Sequence, residues 1–279
     1  MYREYLRFPG FKRRALTLSY DDGVRQDKRL ISIMKKHGIK GTFNINSGSF
    51  STERSDEEKG RMTVEEAVEL YADSGMEVAV HGLKHLSLPD VPPAVALADI
   101  FEDRKNLEKI FGRIVTGMAY AFGTYNDRVV CQLEQCGISY ARTTQATQRF
   151  ELPSDFLRLP STCHHRVPNL MELAESFLTD AERGLAARSP LLFYLWGHSY
   201  EFDNNDNWNV IEEFCEYMGG RDNIWYATNG EIVDYVKAYD ALVFSLDMSR
   251  VYNPTATDVC LFIRGKEYLA ASGKTVELD

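Results

Sequence analysis

The sequence predicts an α/β fold, a distorted (β/α) barrel of about seven parallel strands with a small C-terminal antiparallel β appendage. Strand-like and helix-like segments alternate for most of the chain, which implies right-handed crossovers and a parallel sheet. The length of 279 residues suits one barrel or two smaller domains. The end of the chain changes to short strands separated by glycine turns. An open doubly wound sheet is the alternative architecture.

Short apolar runs predict the barrel strands, and the segments between them predict the helices. The helix after residue 62 opens with a capping box, Thr63-Val64-Glu65-Glu66. A polar loop occupies residues 47–61, and residues 139–166 are less regular, with short strands between loops. The predicted strands are 14–20, 41–46, 76–80, 115–121, 191–196 and 223–226. The predicted helices are 27–36, 63–75, 93–111, 127–135, 169–183, 210–217 and 231–239.

The C-terminal residues predict an appendage on the barrel and not an independent domain. We therefore divide the chain into a barrel, residues 1–242, and an appendage, residues 243–279. A segment this short buries too little apolar area to fold alone. The predicted appendage strands are 258–263, 266–270 and 275–278, with turns at Gly265 and Gly273.

Composition and charge exclude several classes of protein. A net charge of -9 argues against nucleic acid, whose phosphates require clustered Lys and Arg, and gives no support to a membrane as partner. No apolar run approaches the roughly 20 residues that span a bilayer. Residues 1–7 lack the apolar core of a signal peptide, so we expect a cytoplasmic protein. The five cysteines include no Cys-x-x-Cys pair, which argues against a disulfide framework or a thiolate zinc site. A homo-oligomer is left open.

Ionisable residues follow three of the predicted strands. Asp21 and Asp22 end the first strand, His81 and His85 follow the third, and His198 follows the run that ends at residue 197. Functional groups of a βα barrel gather at the C-terminal ends of its strands. We therefore expect all five side chains at one rim, where they can hold a divalent cation and leave an acid and a base free.

These residues carry a family resemblance. Residues 19–23, Ser-Tyr-Asp-Asp-Gly, resemble the first motif of the polysaccharide deacetylases, Thr-Phe-Asp-Asp-Gly. Residues 81–85 resemble their second motif, His-Ser/Thr-x-x-His, with Gly82 in place of the hydroxyl residue. Residues 195–198 resemble their final motif, an apolar strand that leads to a histidine. The resemblance spans residues 14–235 and implies a distorted seven-stranded (β/α) barrel.

The same resemblance implies the roles of the residues. Asp22, His81 and His85 would bind the metal, Asp21 would be the general base, and His198 the general acid. Two neutral imidazoles and one carboxylate suit Zn²⁺ and leave positions for water and substrate. Co²⁺, Ni²⁺ or Fe²⁺ would also fit this ligand set.

Two family features lack a match in the sequence. The third motif usually contains an arginine that orients the catalytic aspartate, but the corresponding residues 119–123 read Ala-Tyr-Ala-Phe-Gly. The N–H of Phe122 is still a candidate oxyanion donor, since this role needs no particular side chain. The Asp–Trp pair that supports the acid histidine is also missing, and Asp155 is a weak substitute. Other candidates for contact with substrate are Asn46, Trp196, Tyr200, His164 and His165.

Three functions are consistent with these residues. The first is a metal-dependent hydrolase that removes an acetyl group, as amide or ester, from a carbohydrate. The second is a hydrolase of a small non-sugar amide or cyclic imide, which the missing arginine and the expected cytoplasmic location favour. The third is a sugar- or metal-binding protein without catalysis. Retention of Asp21 and His198, which metal binding alone does not need, argues against the third.

Overall fold

A curved sheet of parallel strands forms the centre of the protein. The computed structural model describes residues 3–55, 57, 59–179 and 189–279. The strands are β1 (Leu6–Arg7), β2 (Arg14–Asp21), β3 (Gly41–Ile45), β4 (Glu77–Val80), β5 (Gly117–Ala119), β6 (Tyr140–Ala146), β7 (Leu159–Ser161), β8 (Cys163–His164), β9 (Leu191–Gly197), β10 (Ile224–Tyr226), β11 (Val243–Phe244), β12 (Arg250–Tyr252), β13 (Val259–Ile263), β14 (Lys266–Ala270) and β15 (Thr275–Glu277). The helices are α1 (Asp27–Lys36), α2 (Val64–Tyr71), α3 (Pro93–Phe111), α4 (Asp127–Gln135), α5 (Leu170–Thr179), α6 (Tyr200–Asn204), α7 (Asn209–Met218) and α8 (Asn229–Asp240).

The sheet closes into a barrel-like structure through one short segment. Its strand order is β7-β6-β5-β4-β3-β2-β9-β8, and β10 pairs with the start of β2. The two outer strands, β7 and β8, are separated in sequence only by Thr162. Because β7 pairs with β6 while β8 pairs with β9, the segment 159–164 joins both ends of the sheet. The predicted parallel barrel is confirmed.

Local sequence signals explain three of the elements. All eight residues of β2 are buried, as expected of a central strand of a parallel sheet that is covered on both faces. The predicted capping box forms, with Thr63 accepting from the Glu66 N–H and Glu66 accepting from the Thr63 N–H. Helix α3 ends at Gly112, whose φ of 63° allows the chain to leave the helix.

Some predicted boundaries differ from the structure. The predicted strand 115–121 is reduced to β5, because the chain turns at Phe122. The predicted helix 169–183 corresponds to α5, and residues 180–183 lie outside the described residues. Helix α6, which begins two residues after His198, is not among the predicted elements. Among the described residues, no helix is both long and apolar enough to cross a membrane.

The C-terminal residues form two small antiparallel sheets, of order β1-β13-β14 and β11-β12-β15. The three predicted appendage strands correspond to β13, β14 and β15. Strand β1 was not predicted, and it adds residues 6–7 from the start of the chain to the edge of β13. The buried side chains of Leu6, Val259 and Leu261 join one apolar cluster with Tyr194 of the barrel. The division of the chain at residue 242 stays a prediction.

Candidate metal centre and active site

The register of the sheet brings the predicted catalytic side chains together. Tyr20 pairs with Gly197, so Asp21 and His198 come next on neighbouring strands. His81 directly follows β4, two strands away on the other side. Oδ2 of Asp21 lies 3.8 Å from Nε2 of His81 and 3.9 Å from Nε2 of His198. One carboxylate oxygen is thus shared by imidazoles from opposite sides of β2.

The side chain of His81 is a candidate metal ligand. It is almost completely buried, and its Nδ1 lies 2.9 Å from the carbonyl oxygen of Ala119. This contact assigns the ring proton to Nδ1 and leaves a lone pair on Nε2, which has no hydrogen-bond partner. Burial lowers the pKa of His81, although Asp21 and Asp22 oppose this effect. The ring is therefore neutral, as metal binding requires.

The other two predicted ligands lie beside His81. One ligand atom each of Asp22, His81 and His85 falls within 4.8 Å of the other two. Nε2 of His85 is 3.9 Å from Oδ1 of Asp22. Nε2 of His81 is buried and has no hydrogen-bond partner. A carboxylate and two imidazoles fit a divalent cation of the zinc type.

The backbone of this rim is strained. Asp22, His85 and Phe122 have φ values of 81°, 53° and 58°, in the region that non-glycine residues rarely adopt. Each such conformation costs on the order of 1–3 kcal/mol and persists only where neighbouring contacts hold it. Two of the proposed ligands and the turn that contacts His85 thus carry this strain, as do five described residues elsewhere.

Gly82 replaces the hydroxyl residue of the second motif for a steric reason. Its φ is 83°, and a Cβ added at this position would lie 2.6 Å from Oδ2 of Asp99. Asp99 also accepts a hydrogen bond from the backbone N–H of Lys84, at 3.0 Å. A buried carboxylate therefore occupies the space of the missing side chain and supports the loop between His81 and His85.

Arg142, in β6, supplies the guanidinium that the third motif lacks. It is fully buried and donates to Oδ2 of Asp21. Asn44 donates to Oδ1 of the same carboxylate at 2.8 Å. Burial alone would raise the pKa of Asp21, but the charge and hydrogen bond of Arg142, together with the neighbouring imidazoles, lower it to about 2. The sequence placed Arg142 in an irregular region, so its role was missed.

Glu201, in α6, lies beside His198 and takes the place of the missing Asp–Trp pair that supports the acid histidine. Its Oε2 lies 3.5 Å from Nδ1 of His198, an ionic contact without the alignment of a good hydrogen bond. Burial acts to lower the pKa of His198, but Glu201 and Asp21 raise it above its usual value. The predicted substitute, Asp155, instead accepts from the N–H of Leu157 and pairs with Arg158. The assignment to Asp155 is therefore corrected.

Glu201 also joins a second cluster of possible metal ligands, with His164 and His165. Their Nε2 atoms lie 3.2 and 3.1 Å from Oε2 of Glu201. Nδ1 of His164, however, accepts a hydrogen bond from the backbone N–H of Arg166 at 3.2 Å. This contact assigns the ring proton of His164 to Nε2, which lies beside Glu201 and then has no lone pair for a metal. The second cluster therefore supports Glu201 and is poorly suited to a cation.

The predicted substrate contacts lie in different environments. Asn46 is buried and donates to the carbonyl oxygens of His81 and Gly82, at 2.8 and 2.7 Å, so it supports the loop of the proposed ligands. Trp196 is also buried, with the guanidinium of Arg142 4.2 Å from its ring centre. Two further predicted contacts reach the rim: Phe122 is exposed with its ring edge-on to His85, and Tyr200 is half-buried with its ring 5.2 Å from that of His198.

Comparison with known proteins gives the same family as the motifs. The family model described as polysaccharide deacetylase matches residues 9–141. YxkH of Bacillus subtilis (strain 168), provisionally described as a polysaccharide deacetylase, is 24% identical over 133 residues, which are 47% of this chain and 45% of that protein. The chain thus matches less than half the length of this relative.

Among solved structures, one of Mycobacterium smegmatis supports the fold, and a second shows a weaker similarity. A protein of Mycobacterium smegmatis, provisionally described as a polysaccharide deacetylase, has a TM-score of 0.58 at 15% identity and covers 85% of this chain and 94% of its own. A family 4 carbohydrate esterase from Streptomyces lividans, in complex with acetate, has a TM-score of 0.48 at 11% identity and covers 76% and 91%. The resemblance predicted from the motifs is confirmed: residues 9–141, which include Asp21, Asp22, His81 and His85, match the polysaccharide deacetylase family.

Proposed function

We propose that the protein is a metal-dependent hydrolase that removes an acetyl group, as amide or ester, from a carbohydrate. The observation that carries this proposal is the position of Asp21. Its Oδ2 lies beside both His81 and His198 and is held by the buried Arg142. A carboxylate so fixed between a metal ligand and a half-buried histidine is the arrangement that acid–base hydrolysis requires.

Asp22, His81 and His85 would hold the cation. When bound, a cation such as Zn²⁺ acidifies a water molecule and polarises the carbonyl oxygen of the substrate. Zinc suits two imidazoles and a carboxylate, and Co²⁺, Ni²⁺ or Fe²⁺ are further candidates. The neutral, correctly oriented ring of His81 is the strongest support for this ligand set.

Asp21 is suited to receive the proton of the attacking water. With a pKa of about 2 it is ionised throughout the neutral range. Asn44 and Arg142 fix its two oxygens, so the carboxylate cannot rotate away when the substrate enters. These contacts replace the orienting arginine of the third motif, and they remove one reason to expect a different substrate.

His198 is suited to protonate the leaving nitrogen. Its raised pKa increases the protonated fraction near neutral pH, where an amide nitrogen must gain a proton before it can leave. Glu201 contacts Nδ1, so the proton on Nε2 is directed toward Asp21 and the space between the two residues. Phe122 and Tyr200, at the rim, are the candidates for contact with the sugar.

The test is acetate release from a panel of acetylated oligosaccharides, with Zn²⁺ or Co²⁺ added. Asp21→Asn and His198→Asn should each lower the rate by about 10²–10⁴, the usual contribution of an acid or base. Arg250→Gln, which removes an exposed ion pair with Glu277, is the matched control and should retain full activity. Hydrolysis confined to small linear or cyclic amides would favour the alternative substrate class. Glycan binding without hydrolysis of any panel member would contradict catalysis.

A further inference from the structure

A short segment that the motifs do not include is attached to the loop of the proposed metal ligand Asp22. The backbone N–H of Arg25 donates to the carbonyl oxygen of Gly60 at 2.9 Å. Val24 and Arg61 form an isolated antiparallel bridge. Residues 60–61 thus run beside the residues that directly follow Asp22, although almost forty positions separate them in sequence.

The side chain of Arg61 contacts Asp22 at two points. Nη1 of Arg61 donates to the backbone carbonyl oxygen of Asp22, and Nη2 lies 3.6 Å from the carboxylate oxygen Oδ1. The same Oδ1 is 3.9 Å from Nε2 of His85. One guanidinium therefore contacts both the main chain and the side chain of Asp22. At the side chain it contacts the carboxylate oxygen that lies beside His85.

Asp22 needs such a contact because its backbone is strained. Its φ of 81° is unfavourable for a residue with a Cβ, and surrounding contacts must maintain it. The backbone N–H of Asp22 donates to the carbonyl oxygen of Asn44 at 2.9 Å. Arg61 holds the carbonyl oxygen at the other end of the residue. Together the two contacts fix the direction in which the carboxylate points.

We propose that Arg61 is a positioning residue that holds Asp22 in the geometry for a divalent cation and couples residues 59–62 to cation binding. The proposal rests on the metal centre of the proposed function. The positive charge of Arg61 by itself opposes a nearby cation. Positioning of Asp22 by Arg61 raises the affinity for the cation, whereas the charge of Arg61 lowers it. The measured cation affinity of an Arg61 variant therefore shows which of the two effects is larger.

The experiment is the affinity of the purified protein for Zn²⁺ and Co²⁺, measured by competition with a chromogenic chelator. Arg61→Gln should lower the affinity about 10- to 100-fold, the usual effect of removing a residue that orients a ligand. Arg61→Lys, which keeps the charge but loses the two-pronged contact, should recover only part of it. Arg54→Gln is the control, because Arg54 lies in the same polar stretch, is 61% exposed, and pairs with Glu69 at 3.1 Å.

Two further measurements separate positioning from a folding defect. The melting temperature of Arg61→Gln without metal should stay within a few degrees of the wild type. Amide exchange at residues 59–62 should slow when Zn²⁺ is added to the wild type but not to Arg61→Gln. An unchanged or tighter affinity in Arg61→Gln would overturn the proposal, as would a wild type that binds neither cation. Acetate release has no part in this measurement, so an inactive protein that shows the expected affinities would contradict the proposed function alone.

Discussion

Arg142 and Asp21 form a buried ion pair across the barrel. Their strands, β6 and β2, are separated in the sheet by three other strands. Both side chains are almost inaccessible to solvent, and the guanidinium also lies against the ring of Trp196. Arg142 thus orients Asp21, the proposed base, from the other side of the barrel. In this way the chain compensates for the absent arginine of the third motif.

Arg142→Gln is expected to damage both stability and activity. Removing one partner of a buried ion pair leaves the carboxylate of Asp21 without compensation, at a cost of about 3–5 kcal/mol in the free energy of unfolding. The orientation of Asp21 is lost as well, which should lower kcat by about 10- to 100-fold. Urea unfolding and steady-state rates check the two effects. Arg250→Gln, at an exposed pair, should change neither, and wild-type stability in Arg142→Gln would refute the role of the pair.

Glu201→Gln is expected to move the alkaline limb of the pH–rate profile to lower pH. Glu201 and Asp21 raise the pKa of His198. A proton donor stops working as the pH rises through its pKa, and loss of the Glu201 charge lowers that pKa. The measurement is kcat/KM against pH for wild type and variant, with NMR titration of the ring of His198. Superimposable alkaline limbs would show that Glu201 does not set the acidity of His198.

Asp27 is expected to make stability depend on pH in an unusual direction. Burial raises its pKa to about 7, although hydrogen bonds from Ser199, Tyr71 and Val24 act against this. Between pH 4 and 7 the folded state therefore retains a proton that the unfolded state has lost, so this residue contributes less stability as the pH rises. Asp27→Asn removes this contribution.

The check is urea unfolding of wild type and Asp27→Asn at pH 5 and pH 8. The variant should gain stability relative to the wild type at pH 8, because it has no carboxylate to ionise in the interior. An equal difference between the two proteins at both pH values would contradict the raised pKa.

Gly82→Ala is expected to destabilise the protein more than glycine replacement at an unhindered turn. Both Gly82 and Gly265 have φ near 85°, but only at Gly82 would a Cβ meet another atom, Oδ2 of Asp99 at 2.6 Å. Gly265→Ala should cost only the backbone strain, on the order of 1–3 kcal/mol. Thermal unfolding of both variants measures how much more stability Gly82→Ala loses than Gly265→Ala. This additional loss should shrink when Gly82→Ala is combined with Asp99→Ala. Equal losses in the two single variants would contradict the packing described.

The sequence alone was enough to predict the residues of the site that lie at strand ends. Asp21, Asp22, His81 and His85 occur in short motifs directly after apolar runs, and the parallel sheet places all such positions at one edge. His198 follows β9 for the same reason. No knowledge of distant pairing was needed to predict that these residues meet.

Residues that act through long-range partners could not be predicted in the same way. Arg142 contacts a residue 121 positions away, and nothing near it in sequence shows that its strand faces β2 across the barrel. Glu201 offered a local signal that was missed, since it lies three positions after His198, at the spacing of neighbours on a helix. The pairing of β1 with β13 likewise joins distant parts of the chain, and only the folded structure shows it.

The central claim is that Asp22, His81 and His85 hold one divalent cation beside Asp21 and His198. Anomalous scattering from crystals grown with Zn²⁺, recorded on both sides of the zinc absorption edge, tests this claim most directly. The account predicts one strong peak in contact with Oδ of Asp22 and Nε2 of both histidines. A peak instead between His164, His165 and Glu201, or the absence of a peak at the predicted position, would contradict it.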